Sequence, residues 1–215
     1  MRADSRSRLR HSLHGLHGRH GQHGKGAFEG RSAVAYDLLA RRLNRRRYGR
    51  IAEDIALLAP RSGAVLDVGT GPGVLLAEIV RARPDLEVAG IDPSADMVAA
   101  ARRTVARLDG KVTAQVGDAA HLPFADDAFD LIVTSFSLHH WEDVPAAVPE
   151  LARVVRPSGR LIVYDFQHAP FDALDAAAQR LGIVEGPTLH TVIRTGSLVH
   201  ARTCARHVLS LDRPS

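Results

Sequence analysis

The stretch that decides the fold is Ala64-Val-Leu-Asp-Val-Gly-Thr-Gly-Pro-Gly73, a short apolar run followed at once by a glycine-rich turn. Apolar residues at helical spacing resume at Val74 and continue to Ala82. A strand, a tight turn and a helix amino terminus in this order bring backbone N–H groups close to a ligand. The spacing Gly-x-Gly-x-Gly differs from the Gly-x-Gly-x-x-Gly that opens a helix under a pyrophosphate. Alone, this turn fits either a dinucleotide or merely a tight connection.

Short apolar runs and helical patterns alternate along the rest of the chain. The predicted strands are Ala64–Val68, Glu87–Ile91, Lys111–Gln115, Leu131–Thr134 and Arg160–Tyr164, and the predicted helices are Val74–Ala82, Ala95–Leu108, Val144–Val155 and Phe171–Leu181. Two more apolar-alternating runs, 188–194 and 197–203, predict a terminal antiparallel hairpin at the sheet edge. The pattern predicts the α/β class: a doubly wound, Rossmann-like, mostly parallel seven-stranded sheet with helices on both faces.

The composition favours one core behind a low-complexity start. The chain has 215 residues, of which 45% are hydrophobic, and a single cysteine, so no internal disulfide or cysteine metal cluster is expected. No apolar run has the roughly 18 to 20 residues that span a bilayer, and a cytoplasmic protein without a metal site is predicted. We divide the chain into a tail (1–28), a helical lid (29–60), the core (61–207) and a short end (208–215).

Residues 32–58 have apolar side chains at helical spacing with arginines between them, and Gly49 is predicted to separate two helices. Residues 1–50 hold 13 Lys/Arg against 3 Asp/Glu, whereas residues 51–215 hold 15 against 21. Histidine recurs at every third residue from His11 to His23. A solvated, disordered tail is favoured over a transit peptide, a nucleic-acid-binding or lipid-binding tail, or an unselective nickel, copper or zinc binder.

Carboxylates follow two further predicted strands. Asp92 and Pro93 end the second strand, where Asp92 can accept hydrogen bonds from both hydroxyls of a ribose; its alternative role is to cap the next helix. Met97 either covers an adenine face or packs as helix core. Asp118 and Ala119 follow the third strand, where Asp118 fits an adenine amino group or serves as a turn former.

Several motifs together resemble those of class I S-adenosylmethionine-dependent methyltransferases. They are Val65-Leu-Asp-Val-Gly-Thr-Gly-Pro-Gly73, Asp92, Gly117-Asp-Ala119 with Leu-Pro-Phe124, and Arg153-Val-Val-Arg-Pro-Ser-Gly-Arg-Leu161. The resemblance covers residues 33–205 and is strongest to the small-molecule branch that includes ubiquinone and menaquinone C-methyltransferases. It implies S-adenosylmethionine as cofactor.

The resemblance also implies roles for individual residues. Asp67 and the glycines lie under the methionine moiety, Asp92 holds the ribose, Asp118 and Ala119 hold the adenine, Ser135 lines the pocket, and Tyr36 of a lid segment touches the cofactor carboxylate. The whole predicted cofactor set is Tyr36, Asp67, Gly69, Thr70, Gly71, Gly73, Asp92, Pro93, Met97, Asp118, Ala119 and Ser135. Pro72 stands where the quinone enzymes carry threonine, which removes a hydroxyl contact.

Catalytic candidates follow the fourth strand, in Ser135-Phe-Ser-Leu-His-His-Trp141. His139 is the predicted base, with His140 beside it and His168 as a weaker alternative, because imidazole titrates near neutrality. The alternative is that these rings pack and cap the next helix. Since a sulfonium methyl is already activated, alignment and water exclusion without any base are also compatible with methyl transfer.

The predicted function is methyl transfer to the O, N or C atom of a small molecule by in-line displacement. A nicotinamide-dependent reductase is disfavoured. The short-chain reductases use a Tyr-x-x-x-Lys pair, and neither of the two lysines of this chain, Lys25 and Lys111, lies four residues after a tyrosine. A noncatalytic cofactor-binding protein remains the second alternative. The segment after the fourth strand lacks the motifs of nucleic-acid base methyltransferases, so no specific nucleic acid is expected. The acceptor is left open, as is the choice between a monomer and a homodimer.

Overall fold

A computed structural model describes residues 31–108, 111–184, 186–195 and 203–211, with side chains from residue 45 onward. It begins with helix α1, Arg31–Leu58, which is continuous through Gly49. The predicted break there is wrong. Packing explains the difference: Ile51 and Ile55 of α1 are fully buried, so the contacts they make outweigh the roughly 1 kcal/mol by which glycine weakens a helix. Within the described residues, no helix is long and apolar enough to cross a membrane.

The remaining elements alternate as predicted up to residue 165. The strands are β1 (Ala64–Val68), β2 (Glu87–Asp92), β3 (Lys111–Val116), β4 (Phe129–Ser135), β5 (Val155–Asp165), β6 (Leu189–Arg194) and β7 (Thr203–Leu211). The further helices are α2 (Val74–Ala82), α3 (Ala95–Val105), α4 (Val144–Val154) and α5 (Phe171–Arg180), with a 3₁₀ turn at Leu138–His140. The α/β class is therefore confirmed.

The sheet has seven strands in the order β3-β2-β1-β4-β5-β7-β6. Strands β1 to β5 pair in parallel, and β7 pairs antiparallel with both β5 and β6. The strand order reverses between β1 and β4, and ligands of open α/β sheets bind outside the carboxyl ends of the strands at such a point. The topology therefore predicts a ligand site at the carboxyl ends of β1, β2 and β4.

The terminal hairpin is confirmed, but its second strand lies later in the chain than predicted. Of the predicted run 197–203, residues 197–202 lie outside the described residues, and β7 begins at Thr203. The strand continues to Leu211, beyond the predicted core boundary at residue 207. Its position follows from pairing with β5, because Gly159 lies opposite Leu211 and Asp165 opposite Ala205.

The core has two layers, one on each face of the sheet, and neighbouring strand residues alternate between them. Along β1, Val65 packs with the layer formed by α1, α2 and α3, whereas Leu66 packs with the layer of α4 and α5. Along β5, Ile162 and Leu161 divide between the layers in the same way. Both faces of the sheet are therefore covered, and the loops at the strand ends follow strands that are buried on either side.

Candidate functional site

A cavity of about 690 Å³ opens at the carboxyl ends of β1, β2, β3 and β4. Nine residues of the predicted cofactor set line it: Gly69, Thr70, Gly71, Asp92, Pro93, Met97, Asp118, Ala119 and Ser135. Asp67 and Gly73 lie behind this lining. Tyr36 lies on α1, but its side chain falls outside the described residues. The topology thus brings four distant segments of the predicted set to one place.

The glycine turn after β1 is fixed by backbone bonds and by close packing. The N–H groups of Gly69 and Thr70 donate to the carbonyl oxygen of Ile91, at 2.9 and 2.8 Å. Gly69 has a φ of 75°, and a Cβ added there would lie 1.9 Å from the Ser137 Oγ. At Gly71 an added Cβ would meet nothing within 4 Å. The turn therefore needs glycine at position 69, and it leaves open space at residue 71 for a ligand.

Gly73 has a different role from the one predicted. It caps α2 with a φ of 75°, and an added Cβ would lie 2.8 Å from the Ala101 Cα of α3. This glycine lets two helices approach each other, and it does not line the cavity. It therefore supports the site through helix packing.

Asp92 joins two loops of the site. Its Oδ2 accepts from the Gly71 N–H at 2.9 Å, and its Oδ1 accepts from the Ser94 N–H at 2.9 Å. The cap of α3 is Ser94, whose side chain accepts from the Met97 N–H, so the alternative role of Asp92 as the helix cap is not what the structure shows. A carboxylate oxygen accepts more than one hydrogen bond, so Asp92 keeps accepting capacity toward the cavity.

Asp67 is fully buried behind the glycine turn. Its Oδ2 accepts from the Thr70 hydroxyl at 2.7 Å, whereas its Oδ1 has no hydrogen-bond partner among the described residues. Burial raises the pKa of this carboxyl to about 7; the Thr70 hydrogen bond lowers the pKa and the Asp92 charge raises it further. The Asp67 Oδ1 atom can therefore still accept a hydrogen bond beside the glycine turn.

The loop that carries Asp118 is held by an ion pair that sequence reasoning missed. Arg153 donates to the carbonyl oxygens of Leu122 and Phe124, at 3.0 and 2.8 Å, and to both oxygens of Glu150. The Arg153 bonds lower the pKa of Glu150 to about 2. Asp118 itself accepts from the Ala120 N–H at 2.9 Å, which makes it a turn former while it lines the cavity.

The end of β4 forms an aromatic wall. Phe136 has a φ of 52°, a strained value for a residue with a Cβ, and its ring lies 6.3 Å from the Tyr48 ring and 5.4 Å from the Phe166 ring. The Trp141 indole N–H donates to the Ser137 hydroxyl at 3.0 Å. Tyr48 of α1 lines the cavity, and burial raises the pKa of its hydroxyl. The lid therefore contributes Tyr48, which the sequence pattern did not single out.

The two neighbouring histidines differ in their surroundings. His140 lines the cavity, whereas His139 does not, and the ring centroids lie 3.9 Å apart. The His139 Nδ1 lies 2.8 Å from an oxygen of Asp165, which is fully buried at the end of β5. A carboxylate in this position orients an imidazole and fixes its tautomer. His168 stacks on Phe166 with 5.5 Å between ring centroids.

The carboxylates that line the cavity are not balanced by a basic lining residue, although the Arg47 guanidinium lies 4.7 Å from the ring centroid of Phe136 in the cavity wall. Asp92, Asp118, Glu142 and Asp143 line it, and no lysine or arginine does so among residues 45–108, 111–184, 186–195 and 203–211. Acidic walls favour a cationic ligand and disfavour the phosphates of a dinucleotide. With the switch-point topology and the glycine turn, they define an α/β protein whose site suits a positively charged nucleoside.

Known proteins of this kind resemble the chain. The family model described as a methyltransferase domain matches residues 65–159. A demethylmenaquinone methyltransferase of Thermobifida fusca is 42% identical over 147 residues, which is 66% of this chain and 61% of the relative. The ubiquinone/menaquinone biosynthesis C-methyltransferase UbiE of Syntrophotalea carbinolica is 31% identical over 181 residues, 83% of this chain and 73% of the relative.

A solved structure shares the fold. A putative S-adenosyl-L-methionine-dependent methyltransferase of Methanococcus maripaludis superposes with a TM-score of 0.68 at 20% identity, covering 91% of this chain and 99% of that one. The 31% identity to the UbiE protein, of which the chain covers 73%, shows that the chain belongs to the S-adenosylmethionine-dependent methyltransferases, in the branch of the ubiquinone and menaquinone C-methyltransferases. It spans 49 to 64% of the length of five curated relatives that it matches.

The described residues fit the family's cofactor, S-adenosylmethionine. The open space at Gly71 admits a close approach to the backbone, and the Asp92 carboxylate lies beside it. The orphaned Asp67 Oδ1 and the acidic lining suit a ligand that carries ammonium and sulfonium charges. Each of these features comes from the geometry and is independent of the family match.

Proposed function

We propose that this chain transfers a methyl group from S-adenosylmethionine to a small-molecule acceptor. The observation that carries the proposal is the acidic cavity at the switch point, in which Asp92, Asp118, Glu142 and Asp143 meet without a basic partner in the described lining. A sulfonium cation gains from these charges, and the neutral thioether product does not. The lining therefore favours binding of the substrate form of the cofactor.

The proposed cofactor contacts follow the order of the strands. The turn at Gly69 and Gly71 holds the methionine moiety, Asp92 accepts from the ribose hydroxyls, and Asp118 with Ala119 faces the adenine. The bonds that Asp92 accepts from Gly71 and Ser94 support this assignment, because they fix its carboxylate before a ligand arrives. Met97, 44% exposed at the cavity, covers the adenine in this arrangement.

When bound, S-adenosylmethionine supplies a methyl group already activated by its sulfonium. The chain's own task is to align the acceptor and to exclude water, for which the wall of Tyr48, Phe136 and Trp141 provides apolar surface. We propose His139 as the group that takes the acceptor's proton at its Nε2 atom, since Asp165 holds the Nδ1 atom, and this role requires an acceptor that reaches past the cavity lining to that ring. His140, which lines the cavity, is the alternative carrier.

The acceptor class is proposed from the cavity and from the relatives. Relatives named for menaquinone and ubiquinone precursors support a small aromatic acceptor, and the acidic lining disfavours a nucleic-acid backbone. We place the reaction in the cytoplasm, because one buried free cysteine, Cys204, requires no oxidising compartment. Neither a monomer nor a homodimer changes these assignments.

Turnover separates this proposal from a noncatalytic cofactor-binding protein. The protein is incubated with S-adenosylmethionine and a panel of hydroquinones, phenols, amines and single-stranded DNA, and S-adenosylhomocysteine is measured by mass spectrometry. We expect turnover with at least one small molecule and none with DNA. Binding of the cofactor without turnover on any small molecule would instead support the noncatalytic alternative.

Once an acceptor is found, His139→Gln tests the base, with His140→Gln as the matched neighbour. General-base catalysis contributes about 100-fold or more, so we expect kcat to fall by about that factor in His139→Gln while cofactor affinity is unchanged. A larger loss in His140→Gln would move the role to His140. A loss below about threefold in both variants would leave alignment as the chain's whole contribution.

A further inference from the structure

The terminal hairpin holds a second cluster of titratable side chains, outside the cofactor cavity. His190 of β6 lies directly opposite His207 of β7 in the antiparallel register. Their Nδ1 atoms are 3.0 Å apart, and the His207 Nε2 lies 2.7 Å from the Asp175 Oδ1 of α5. The Phe171 ring packs against both imidazoles, with centroids 5.0 and 4.9 Å away. The cluster joins three elements that take no part in the proposed reaction.

The hydrogen bonds define which nitrogens can bind a ligand. An ionised carboxylate only accepts, so the neutral ring of His207 carries its proton on Nε2, and its Nδ1 accepts a hydrogen bond from the Nδ1–H of His190. His207 is 2% exposed and its ring is held by Asp175 and Phe171, whereas His190 is exposed. A tautomer change at His190, which moves its proton to Nε2, presents a second lone pair beside the first.

The separation of the two Nδ1 atoms matches that of two ligands on one transition metal ion. With metal–nitrogen bonds of about 2.0 to 2.1 Å, two ligands at 90° to 109° lie about 3.0 to 3.4 Å apart. The observed 3.0 Å, which is a hydrogen bond between the two rings, lies within this range, so a metal ion could replace the shared proton with little movement of either nitrogen. The carboxylate on the other nitrogen of His207 completes the arrangement in which an outer acid orients a metal-binding imidazole.

We propose that His190 and His207 form a two-histidine site for a divalent transition metal ion of the nickel and copper type. Asp175 is the positioning residue, and water fills the remaining coordination positions on the exposed His190 side. Among the described residues no group of three or more His, Cys, Asp or Glu side chains is placed to hold a metal together. The site is therefore a bidentate one of moderate affinity, and it links β6 to β7.

The histidines of residues 11–23 complicate any binding measurement, because such a tract takes up nickel by itself. Stability distinguishes the two. Metal held by two strands binds the folded state alone and raises the melting temperature, whereas metal held by the tract binds folded and unfolded chains alike. At about one hundred times its Kd, nickel bound at the hairpin raises the melting temperature by about 5 to 10 °C.

The test is the nickel-induced shift in melting temperature of the full chain in which the five tract histidines are replaced by glutamine. We expect the shift in this parent and its loss in the added His190→Gln variant, which keeps the His207–Asp175 bond. His121→Gln, an exposed histidine elsewhere, is the matched control and keeps the shift. Asp175→Asn weakens nickel affinity by about 10-fold or more, since outer partners contribute that much.

Two results would overturn the site. One is a parent whose melting temperature nickel does not raise, and the other is a shift of equal size in His190→Gln. Nuclear magnetic resonance gives a second readout that does not depend on stability: substoichiometric nickel should broaden the ring-proton signals of His190 and His207 first. Unbroadened signals from both rings would also contradict the proposal. None of these readouts requires methyl transfer, so the site and the proposed function fail independently.

Discussion

The glycine turn after β1 and the β6–β7 hairpin are fixed in different ways. At the turn, local geometry determines the residue type. Gly69 has a φ of 75° and lies so close to the Ser137 side chain that no Cβ fits between them, so only glycine suits this position. In the hairpin, β7 takes its position from pairing with β5, whose residues lie 40 positions away in the pair Asp165 and Ala205 and 52 positions away in the pair Gly159 and Leu211. A local constraint fixes residue types that can be recognised in the sequence as a motif. Long-range pairing produces only a run of apolar residues, from which the first and last residue of the strand cannot be determined.

The largest expected effect on ligand affinity comes from placing a Cβ in the turn. In Gly69→Ala the new atom meets the Ser137 side chain and the backbone stays in the left-handed region, so S-adenosylhomocysteine affinity should fall by about 100-fold. Gly182→Ala is the matched control, since Gly182 has a φ of 65° and nothing within 4 Å of an added Cβ. Isothermal titration calorimetry of both variants measures the difference. Equal affinities would show that the turn tolerates a side chain.

The next effect is on the pH dependence of stability through Asp67. Because burial raises its folded-state pKa to about 7 from 3.8, the folded protein holds a proton that the unfolded chain releases between about pH 4 and 7. This contribution to stability is complete below about pH 4 and is lost as pH rises to about 7. Asparagine does not titrate, so the Asp67→Asn variant lacks this loss. As the pH rises from about 4 to 7, its free energy of unfolding should rise relative to that of the parent by up to about 4 kcal/mol.

Urea unfolding at pH 4, 5.5 and 7 measures that change for the Asp67 variant. Asp96→Asn is the matched control, because Asp96 is an exposed carboxylate in the first turn of α3. Its profile should run parallel to that of the parent. If the Asp67→Asn profile also runs parallel to the parent, the Asp67 carboxyl has an ordinary pKa and the argument from its burial is wrong.

The smallest expected effect lies on the hairpin side of the comparison. The Tyr164 hydroxyl donates to Asp54 at 2.6 Å, and Arg206 of β7 pairs with the same carboxylate, which ties α1, β5 and β7 together. Tyr164→Phe should lower the free energy of unfolding by about 1 kcal/mol, the net value of one hydrogen bond. S-adenosylhomocysteine affinity should stay unchanged. A weaker affinity would mean that the hairpin side and the cavity are coupled.

Most of the residues that the sequence predicts for the cofactor stand at or just after the end of a strand. Strand ends are visible in apolar runs, and parallel strands bring those ends to one edge, which is why Asp92, Asp118 and Ser135 meet. Gly73, for which the resemblance implies a place under the methionine moiety, packs against α3 instead, because the motif does not distinguish a glycine beside a ligand from a glycine beside a helix.

The remaining features depend on contacts that no local pattern encodes. Tyr48 reaches the cavity because α1 continues through Gly49, and that continuity comes from the burial of Ile51 and Ile55. The hydrogen bonds from Arg153 to the loop that carries Asp118 join residues about 30 positions apart in the sequence. The pairing of Asp165 with His139 could not be predicted, because a buried carboxylate at the end of a strand is marked in the sequence only by its charge.

The central claim is that the acidic cavity binds an S-adenosyl nucleoside through Asp92. Calorimetric titration with S-adenosylhomocysteine and, separately, with NADH tests it, using the parent chain, Asp92→Ala and the exposed-site control Asp96→Ala. We predict binding of S-adenosylhomocysteine alone, weakened by about 10 to 100-fold in Asp92→Ala and unchanged in Asp96→Ala. Binding of NADH, or of neither ligand, would contradict the account.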